Sequence, residues 1–259
     1  MRLTTLCDAQ PVTGSEAAYA ALLDRARGDP AVVGVVVFGS RAAGPFATAS
    51  SDVDCFVIVD GSPEDTHPWA TNHGDPVEVW PITLDAFRRH ALAGDAFAWN
   101  RPAFIRARVD VDKLDGQIGQ IVDRKRRLVP DEAQTIAMDG LGAAINSIFR
   151  ALRNQEAERR LEGRLDGLEA IAPMLTAAFA LEGRVRPFNK WLRYELATEP
   201  LRMPELAGLG ELVERLAEDS SIDRLRDAFR MLERAARSTG YGAIVDGWEP
   251  DVAWLRGQA

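Results

Sequence analysis

Cysteine, histidine and long apolar runs are scarce in this sequence. Its 259 residues include 2 cysteines and 3 histidines. Two cysteines are too few for a disulfide scaffold, so we expect a reducing compartment, most simply the cytoplasm. No stretch of about 18 apolar residues is free of charges, so we expect no membrane span. The segment after Met1 has no long apolar core and does not resemble a signal peptide.

The chain also has fewer basic than acidic residues. The chain has 31 lysines and arginines against 39 aspartates and glutamates, a formal net charge of -8. Proteins that bind nucleic acids are usually basic, so we expect no DNA or RNA partner. An acidic protein suits a cationic substrate better. Hydrophobic residues make up 46% of the chain, which is enough to build sizeable cores in one large or two ordinary domains.

The stretch from residue 32 to residue 60 is the most informative in the chain. Its first part, Val32–Phe38, is an almost unbroken apolar run, which predicts a strand buried on both faces. Gly39 and Ser40 end this strand. Because glycine tolerates positive φ and lets other groups approach closely, a turn here could bring backbone N–H groups to a phosphate.

Two aspartates, Asp52 and Asp54, open the next apolar strand of this stretch. Strand residues two apart point to the same face, so the two carboxylates should project side by side. Paired carboxylates beside a phosphate-binding turn predict a Mg²⁺ site, because Mg²⁺ takes carboxylates together with substrate phosphates. A bare D-x-D pattern is more often a turn and a strand-edge charge, so the prediction depends on the whole arrangement.

This arrangement resembles the polymerase-β-like nucleotidyltransferase superfamily. Residues 39–44 read GSRAAG and residues 51–54 read SDVD, similar to the G-S-x-A-x-G and S-D-[IVL]-D patterns of its antibiotic-modifying and minimal branches. The resemblance implies an α/β (α+β) N-terminal catalytic domain with a mixed sheet. It also implies ATP as co-substrate and two Mg²⁺ ions. The site residues it implies are Gly39, Ser40 and Arg41 for the nucleotide, and Asp52 and Asp54 for the metal and for catalysis.

The next predicted strand, Val77–Trp80, contains a single acid, Glu78. The resemblance implies a third carboxylate on this strand, which either accepts a proton from the attacking hydroxyl or completes the metal's ligand set. Glu78 could instead be a solvent-facing charge, and Asp75 is the second candidate for the third carboxylate. His67 and His73 precede the strand, and we expect them to be ordinary loop residues rather than a metal-binding pair.

The hydrophobic period changes from strand-like to helical near residue 116. We therefore predict a catalytic domain over residues 1–116 and an all-α helical bundle over residues 117–259, which would contact the substrate and close over the nucleotide. Asp110-Val111-Asp112 lies just before this boundary. It lacks a preceding Gly-Ser turn and a following apolar run, so we expect a solvated turn there.

A second informative segment runs from Gly183 to Lys190. Gly183 should end a helix, and Pro187 suits the first turn of the next. Arg186 and Lys190 then lie near a helix start, where cations are disfavoured unless an anion is bound. The segment is similar to one in aminoglycoside adenylyltransferases whose lysine contacts nucleotide phosphates. The resemblance thus implies Lys190, and more weakly Arg186, as phosphate ligands, while a solvated lysine remains an alternative.

Together these features predict a Mg²⁺-dependent nucleotidyltransferase. It would move a nucleoside monophosphate, in the first instance AMP from ATP, onto a hydroxyl of a small acceptor and release pyrophosphate, in a cleft between the domains. An aminoglycoside-like cation is the favoured acceptor, which would make antibiotic resistance the biological role. Two alternatives remain open, namely a protein-modifying adenylyltransferase of the toxin–antitoxin type and a non-catalytic nucleotide-binding module.

Overall fold

A computed structural model describes residues 13–42, 45–48 and 51–258 of the chain. Gly44, which closes the GSRAAG pattern, lies outside these residues. The chain divides into two compact units between Arg126 and Arg127, whereas the sequence places the domain boundary at Gly116. The difference is one helix, which packs against the sheet of the first unit because its apolar face contains Ile118 and Val122, both fully buried.

The first unit is built on a mixed four-stranded sheet, as the sequence predicts. Its strands are β1 (Val32–Phe38), β2 (Val53–Val59), β3 (Val77–Thr83) and β4 (Arg108–Asp112). The strand order is β3-β2-β1-β4. Strand β1 runs antiparallel to both β2 and β4, and β2 runs parallel to β3. The chain passes through Pro81 without leaving β3, because an edge strand has one side on which a missing N–H costs no ladder bond.

Helices cover both faces of this sheet, which is why β1 is buried along its whole length. The helices of the first unit are α1 (Thr13–Gly28), α2 (Leu84–Arg89) and α3 (Gln117–Arg126). Among the described residues, three 3₁₀ segments accompany them, Gly39–Arg41, Pro63–Trp69 and Ala98–Phe104. Helix α1 packs on one face through Leu22 and Leu23. Helix α3 packs on the other, where Ile118 lies so close to Gly34 that a Cβ there would be 2.9 Å from Ile118 Cγ1.

An aromatic cluster lies between the sheet and α2. Phe56 stacks on Phe104 with ring centroids 5.6 Å apart and lies 5.4 Å from Phe87. Lys125 of α3 is fully buried beside this cluster. Its Nζ donates to the carbonyl oxygens of Phe87 at 2.7 Å and His90 at 2.6 Å, at the end of α2. The lysine therefore supplies donors to helix carbonyls that would otherwise have none.

The last strand of the first unit differs from the sequence expectation. Asp110 and Asp112 lie in β4 and not in a solvated turn. The side chain of Asp110 accepts hydrogen bonds from Tyr19 and Arg108, and Asp112 accepts from the backbone N–H of Gly119 in α3. Asp110 therefore has a partner from a distant part of the chain, whereas the partners of Asp112 are backbone N–H groups shortly after β4.

The second unit is helical, as predicted. Its helices are α4 (Pro130–Glu156), α5 (Arg160–Glu169), α6 (Ile171–Leu181), α7 (Asn189–Thr198), α8 (Leu209–Glu218), α9 (Ile222–Ser238), α10 (Gly242–Asp246) and α11 (Val252–Arg256), with a 3₁₀ turn at Pro204–Leu206. The long helix α4 packs on α5, α6 and α9. Gly140 allows its close approach to α6, because an added Cβ would lie 2.9 Å from the backbone nitrogen of Ala177.

Helix α7 begins two residues later than the sequence predicts. Phe188 is its N-cap and Asn189 its first residue, so Pro187 precedes the helix and does not form part of its first turn. Gly183, with φ of +67°, ends α6 as expected. The backbone N–H of Gly183 bonds to Ala180 and that of Arg184 to Phe179, the pairing of a Schellman motif.

None of the helices within residues 13–42, 45–48 and 51–258 combines the length and the apolar character that crossing a bilayer requires.

Candidate active site

Three carboxylates converge at one end of the sheet. Asp52 immediately precedes β2, Asp54 lies in β2, and Glu78 lies in β3. The parallel register of these strands places Asp54 directly beside Glu78. Asp52 shares a face with Asp54 because the two residues are two apart. One carboxylate oxygen from each of the three lies within 4.8 Å of the others, so the structure brings together the acids that the sequence singled out.

This acid cluster has the chemistry that a hard divalent cation requires. All three side chains are half-buried and offer only oxygen ligands. Mg²⁺ prefers oxygen ligands and is usually held by one or two carboxylates, with waters and substrate phosphates filling its other positions. Three carboxylates this close repel one another, and a bound divalent cation would offset that repulsion. The donor set therefore fits the Mg²⁺ that the sequence predicts.

The Gly39–Arg41 turn lies at the same end of the sheet as the acid cluster. In the antiparallel register, Phe38 at the end of β1 is opposite Asp54. Gly39 follows with φ of +74°, and an added Cβ would overlap Oδ2 of Asp54. Glycine is therefore required here for two reasons, the left-handed backbone and the space that the carboxylate occupies. Ser40 is half-buried beside it.

Arg41 connects this turn to the segment before Asp52. Its Nε donates to the carbonyl oxygen of Ser51 at 3.0 Å. Its Nη2 is buried and has no hydrogen-bond partner among the residues that the structure describes. A buried guanidinium donor without a partner is costly. The arrangement is therefore suited to an added anion beside the turn.

His73 is a neighbour of the acid cluster that sequence reasoning treated as an ordinary loop residue. Its Nδ1 lies 3.4 Å from Oε2 of Glu78, although its side chain is 93% exposed. The turn that carries it is closed by a 2.8 Å bond from the backbone N–H of Asn72 to Oδ2 of Asp75, with Gly74 at φ of +91°. His73 lies five residues before Glu78, and the turn between them brings the two side chains together, which a histidine in a polar loop does not signal.

Asp75, the second candidate for the third carboxylate, closes this same turn with its side chain. The backbone N–H of Asn72 donates to its side chain. It is not a member of the acid cluster found among the described residues. Glu78 is therefore the third carboxylate of the cluster.

Arg186 and Lys190, the two cations predicted to contact phosphates, lie around the start of α7. Arg186 donates to the carbonyl of Ala172 at 3.3 Å and to Oδ1 of Asn189 at 2.6 Å. Burial lowers the pKa of Arg186. Lys190 is exposed, with its Nζ 5.4 Å from the ring centroid of Trp191. Arg186 thus has a structural role within its own unit, and nucleotide binding by either cation stays a prediction.

A comparison with protein families identifies the first unit. Residues 21–128 match the family model described as nucleotidyltransferase domain. The matched segment contains all four strands, the Gly39–Arg41 turn and the acid cluster. Residues 21–128 form a nucleotidyltransferase domain. This supports an enzyme that transfers nucleotidyl groups, and the match does not separate the antibiotic-modifying branch from others.

A crystal structure of a nucleotidyltransferase-like protein from Exiguobacterium sibiricum 255-15 is 14% identical to this chain, with a TM-score of 0.46. The alignment covers 89% of this chain and 78% of that one. No curated protein matches the sequence.

Proposed function

We propose that this nucleotidyltransferase moves a nucleoside monophosphate from a nucleoside triphosphate to a hydroxyl of a small acceptor and releases pyrophosphate. ATP is the proposed donor. The observation that carries the proposal is the acid cluster of Asp52, Asp54 and Glu78 beside the Gly39–Arg41 turn. Nucleotidyl transfer needs groups that hold the triphosphate and groups that hold a divalent metal, and this arrangement offers both within one domain.

In the proposed reaction an acceptor hydroxyl oxygen attacks the α-phosphorus. A new oxygen–phosphorus bond forms, the bond from the α-phosphorus to the bridging oxygen breaks, and pyrophosphate leaves with that oxygen. Asp52 and Asp54 would together hold two Mg²⁺ ions. Bound Mg²⁺ would supply charge stabilisation for the entering and leaving oxygens. Glu78 has two alternative roles: it accepts the hydroxyl proton, or it completes the metal's ligand set and the hydroxyl proton passes to water.

The triphosphate would be held by the turn. Gly39 leaves room for a phosphate to approach the backbone, and Ser40 offers a hydroxyl. The buried Nη2 of Arg41 could donate a further hydrogen bond to the phosphate. Within the second unit, Lys190 and Arg186 are proposed to offset the charge of the departing phosphates. The domain boundary and this division of roles between the two units are part of the proposal.

For the acceptor we propose a small hydroxylated cation of the aminoglycoside type. The net charge of -8 supports this choice, because an acidic protein raises the local concentration of cations. Acylated or otherwise neutral derivatives of the same acceptor should therefore react more slowly. The proposal implies antibiotic modification as the biological role.

The experiment measures pyrophosphate release with Mg²⁺, each of the four common nucleoside triphosphates, and a panel of aminoglycosides and other amino-alcohols. We expect release that depends on both the triphosphate and the acceptor. Asp54→Asn should reduce it by about a hundredfold or more, because the change removes a charge from the acid cluster at nearly constant size. Asp60→Asn is the matched control, since Asp60 is exposed just after the other end of β2.

The possible results test the enzyme class and the identity of the acceptor separately. Release without any acceptor, lost in Asp54→Asn, would support the enzyme class and refute the proposed acceptor. Modification of a protein in place of every small molecule would favour an adenylyltransferase of proteins. Binding of triphosphate with no release in any mixture would refute transfer altogether.

A further inference from the structure

Arg108 of β4 contacts the Gly39–Arg41 turn from the side away from the acid cluster. Its Nη1 donates to the carbonyl oxygen of Ala42, the residue that follows the turn, at 3.2 Å. Its Nε and Nη2 donate to the two carboxylate oxygens of Asp110, at 2.6 and 2.9 Å. A guanidinium held by both oxygens of one carboxylate has a fixed plane and direction. Arg108 therefore reaches Ala42 from a defined position.

Asp110 is itself held by a hydrogen bond from helix α1. The Tyr19 hydroxyl of α1 donates to its Oδ2 at 2.7 Å. The Asp110 side chain is 14% exposed, against 50% for Arg108. Burial works to raise the pKa of Asp110, but the hydrogen bonds from Arg108 and Tyr19 hold it below its usual range. The carboxylate thus stays charged near neutrality and keeps its two donors in place.

The turn is consequently held from two sides. Arg41 anchors it to Ser51, just before the acid cluster, and Arg108 anchors its far end at Ala42 to β4. A turn that presents backbone N–H groups to a phosphate binds well only if those groups are already in place, because each unproductive conformation lowers the apparent affinity.

We propose that Arg108, supported by Asp110 and Tyr19, is a positioning residue that holds the Gly39–Arg41 turn in the form that binds a nucleoside triphosphate. This inference rests on the proposed function. It assigns Arg108 an effect on nucleotide affinity and none on the binding of metal by the acid cluster. Suppose that, without the Arg108 contact, the turn adopted its nucleotide-binding form one tenth of the time. The dissociation constant for the nucleotide would then rise about tenfold.

The test measures the binding of ATP in excess Mg²⁺ by isothermal titration calorimetry to the full chain. We expect about tenfold weaker binding for Arg108→Ala and a smaller loss for Arg108→Lys, which can still reach Ala42. Tyr19→Phe should weaken binding about two- to threefold, because it removes one of the donors to Asp110. The control is Arg88→Ala, which breaks an exposed 2.7 Å pair with Asp85 in the same unit and should bind like the wild type.

A second readout separates positioning from general damage. Binding of Mn²⁺ alone, followed by electron paramagnetic resonance, should be the same in wild type, Arg108→Ala and Tyr19→Phe. Wild-type ATP affinity in both Arg108 variants would overturn the inference and leave the proposed function intact. Equal loss of ATP and Mn²⁺ binding would also overturn it, in favour of a merely structural role. If the wild type bound none of ATP, GTP, CTP and UTP, the proposed function would fall first.

Discussion

Replacing Gly39 by alanine tests whether the turn and the acid cluster form one site. Gly39 has φ of +74°, and a Cβ there would overlap Oδ2 of Asp54 and lie 3.3 Å from its Cγ. The added methyl must therefore either move the Asp54 carboxylate or push the turn away from β2. Both responses disturb the geometry that the proposed reaction needs.

The expected effect of Gly39→Ala has two parts, a loss of stability and a loss of catalytic rate. A non-glycine residue in the left-handed region costs about 1–2 kcal/mol in stability. Displacing a reacting group by about 1 Å can cost about a hundredfold in rate. We therefore expect Gly39→Ala to lose a few degrees of melting temperature and about a hundredfold of its acceptor-dependent pyrophosphate release. The loss of activity should far exceed what the loss of folded protein explains.

Gly94→Ala is the matched control. Gly94 lies in the same unit with φ of +84°, and nothing lies within 4 Å of an added Cβ. This variant should lose similar stability and keep its activity. Thermal unfolding and pyrophosphate release, measured on both variants at a temperature where both are folded, give the comparison. Equal activity of Gly39→Ala and Gly94→Ala would refute the idea that Asp54 requires a glycine beside it.

Three other substitutions test separate contacts. His73→Gln should change transfer by no more than about fivefold, because an exposed contact such as that with Glu78 contributes at most about 1 kcal/mol; steady-state kinetics measures this. Lys125→Met should lower the free energy of unfolding by about 2–4 kcal/mol, because it leaves buried carbonyls without donors; urea denaturation measures this. Glu233→Gln should lower it by about 1–2 kcal/mol near pH 7, and less as the pH falls, because hydrogen bonds from two arginines keep the pKa of Glu233 below its ordinary 4.5.

The contribution of Glu233 to the free energy of unfolding depends on pH because its pKa differs between the folded and unfolded states. A carboxyl whose pKa is lowered on folding adds stability above its unfolded pKa, and that stability disappears as the pH falls through the folded value. The difference between wild type and Glu233→Gln should therefore shrink below about pH 4.5. A difference that is constant between pH 7 and pH 3 would contradict the assignment. For Lys125, burial lowers the pKa to about 8, so an unfolding experiment at pH 7 compares the protonated lysine with methionine.

The sequence predicts well the parts of this protein that depend on local pattern. The run Val32–Phe38 is a strand from its first residue to its last. The spacing of Asp52 and Asp54 places them on one face because strands have a period of two. Glu78 could be selected because it is the single acid of its predicted strand, and the register with Asp54 confirms that it lies beside the pair.

Contacts between distant segments could not be predicted in this way. Asp110 is predicted to lie in a solvated turn because Asp110-Val111-Asp112 lacks a preceding Gly-Ser turn and a following apolar run, yet Tyr19, 91 positions away, donates to Asp110. Arg108 meets Ala42 across 66 positions. Lys125 lies in a run of four basic residues, a pattern typical of a solvated helix face, whereas the chain buries it against the end of α2. Each of these side chains owes its role to packing between elements that are distant in sequence, which a single sequence does not display.

The most direct test of the central claim is the fate of the individual phosphates. The protein is incubated with Mg²⁺ and the acceptor that supports release, using triphosphate labelled on either the α- or the γ-phosphate, and the acceptor is then isolated. Nucleotidyl transfer predicts that α-label appears in the acceptor in equal amount to the pyrophosphate released, and that γ-label never does. Transfer of γ-label to the acceptor, or release of γ-label as inorganic phosphate with the acceptor unlabelled, would contradict the account.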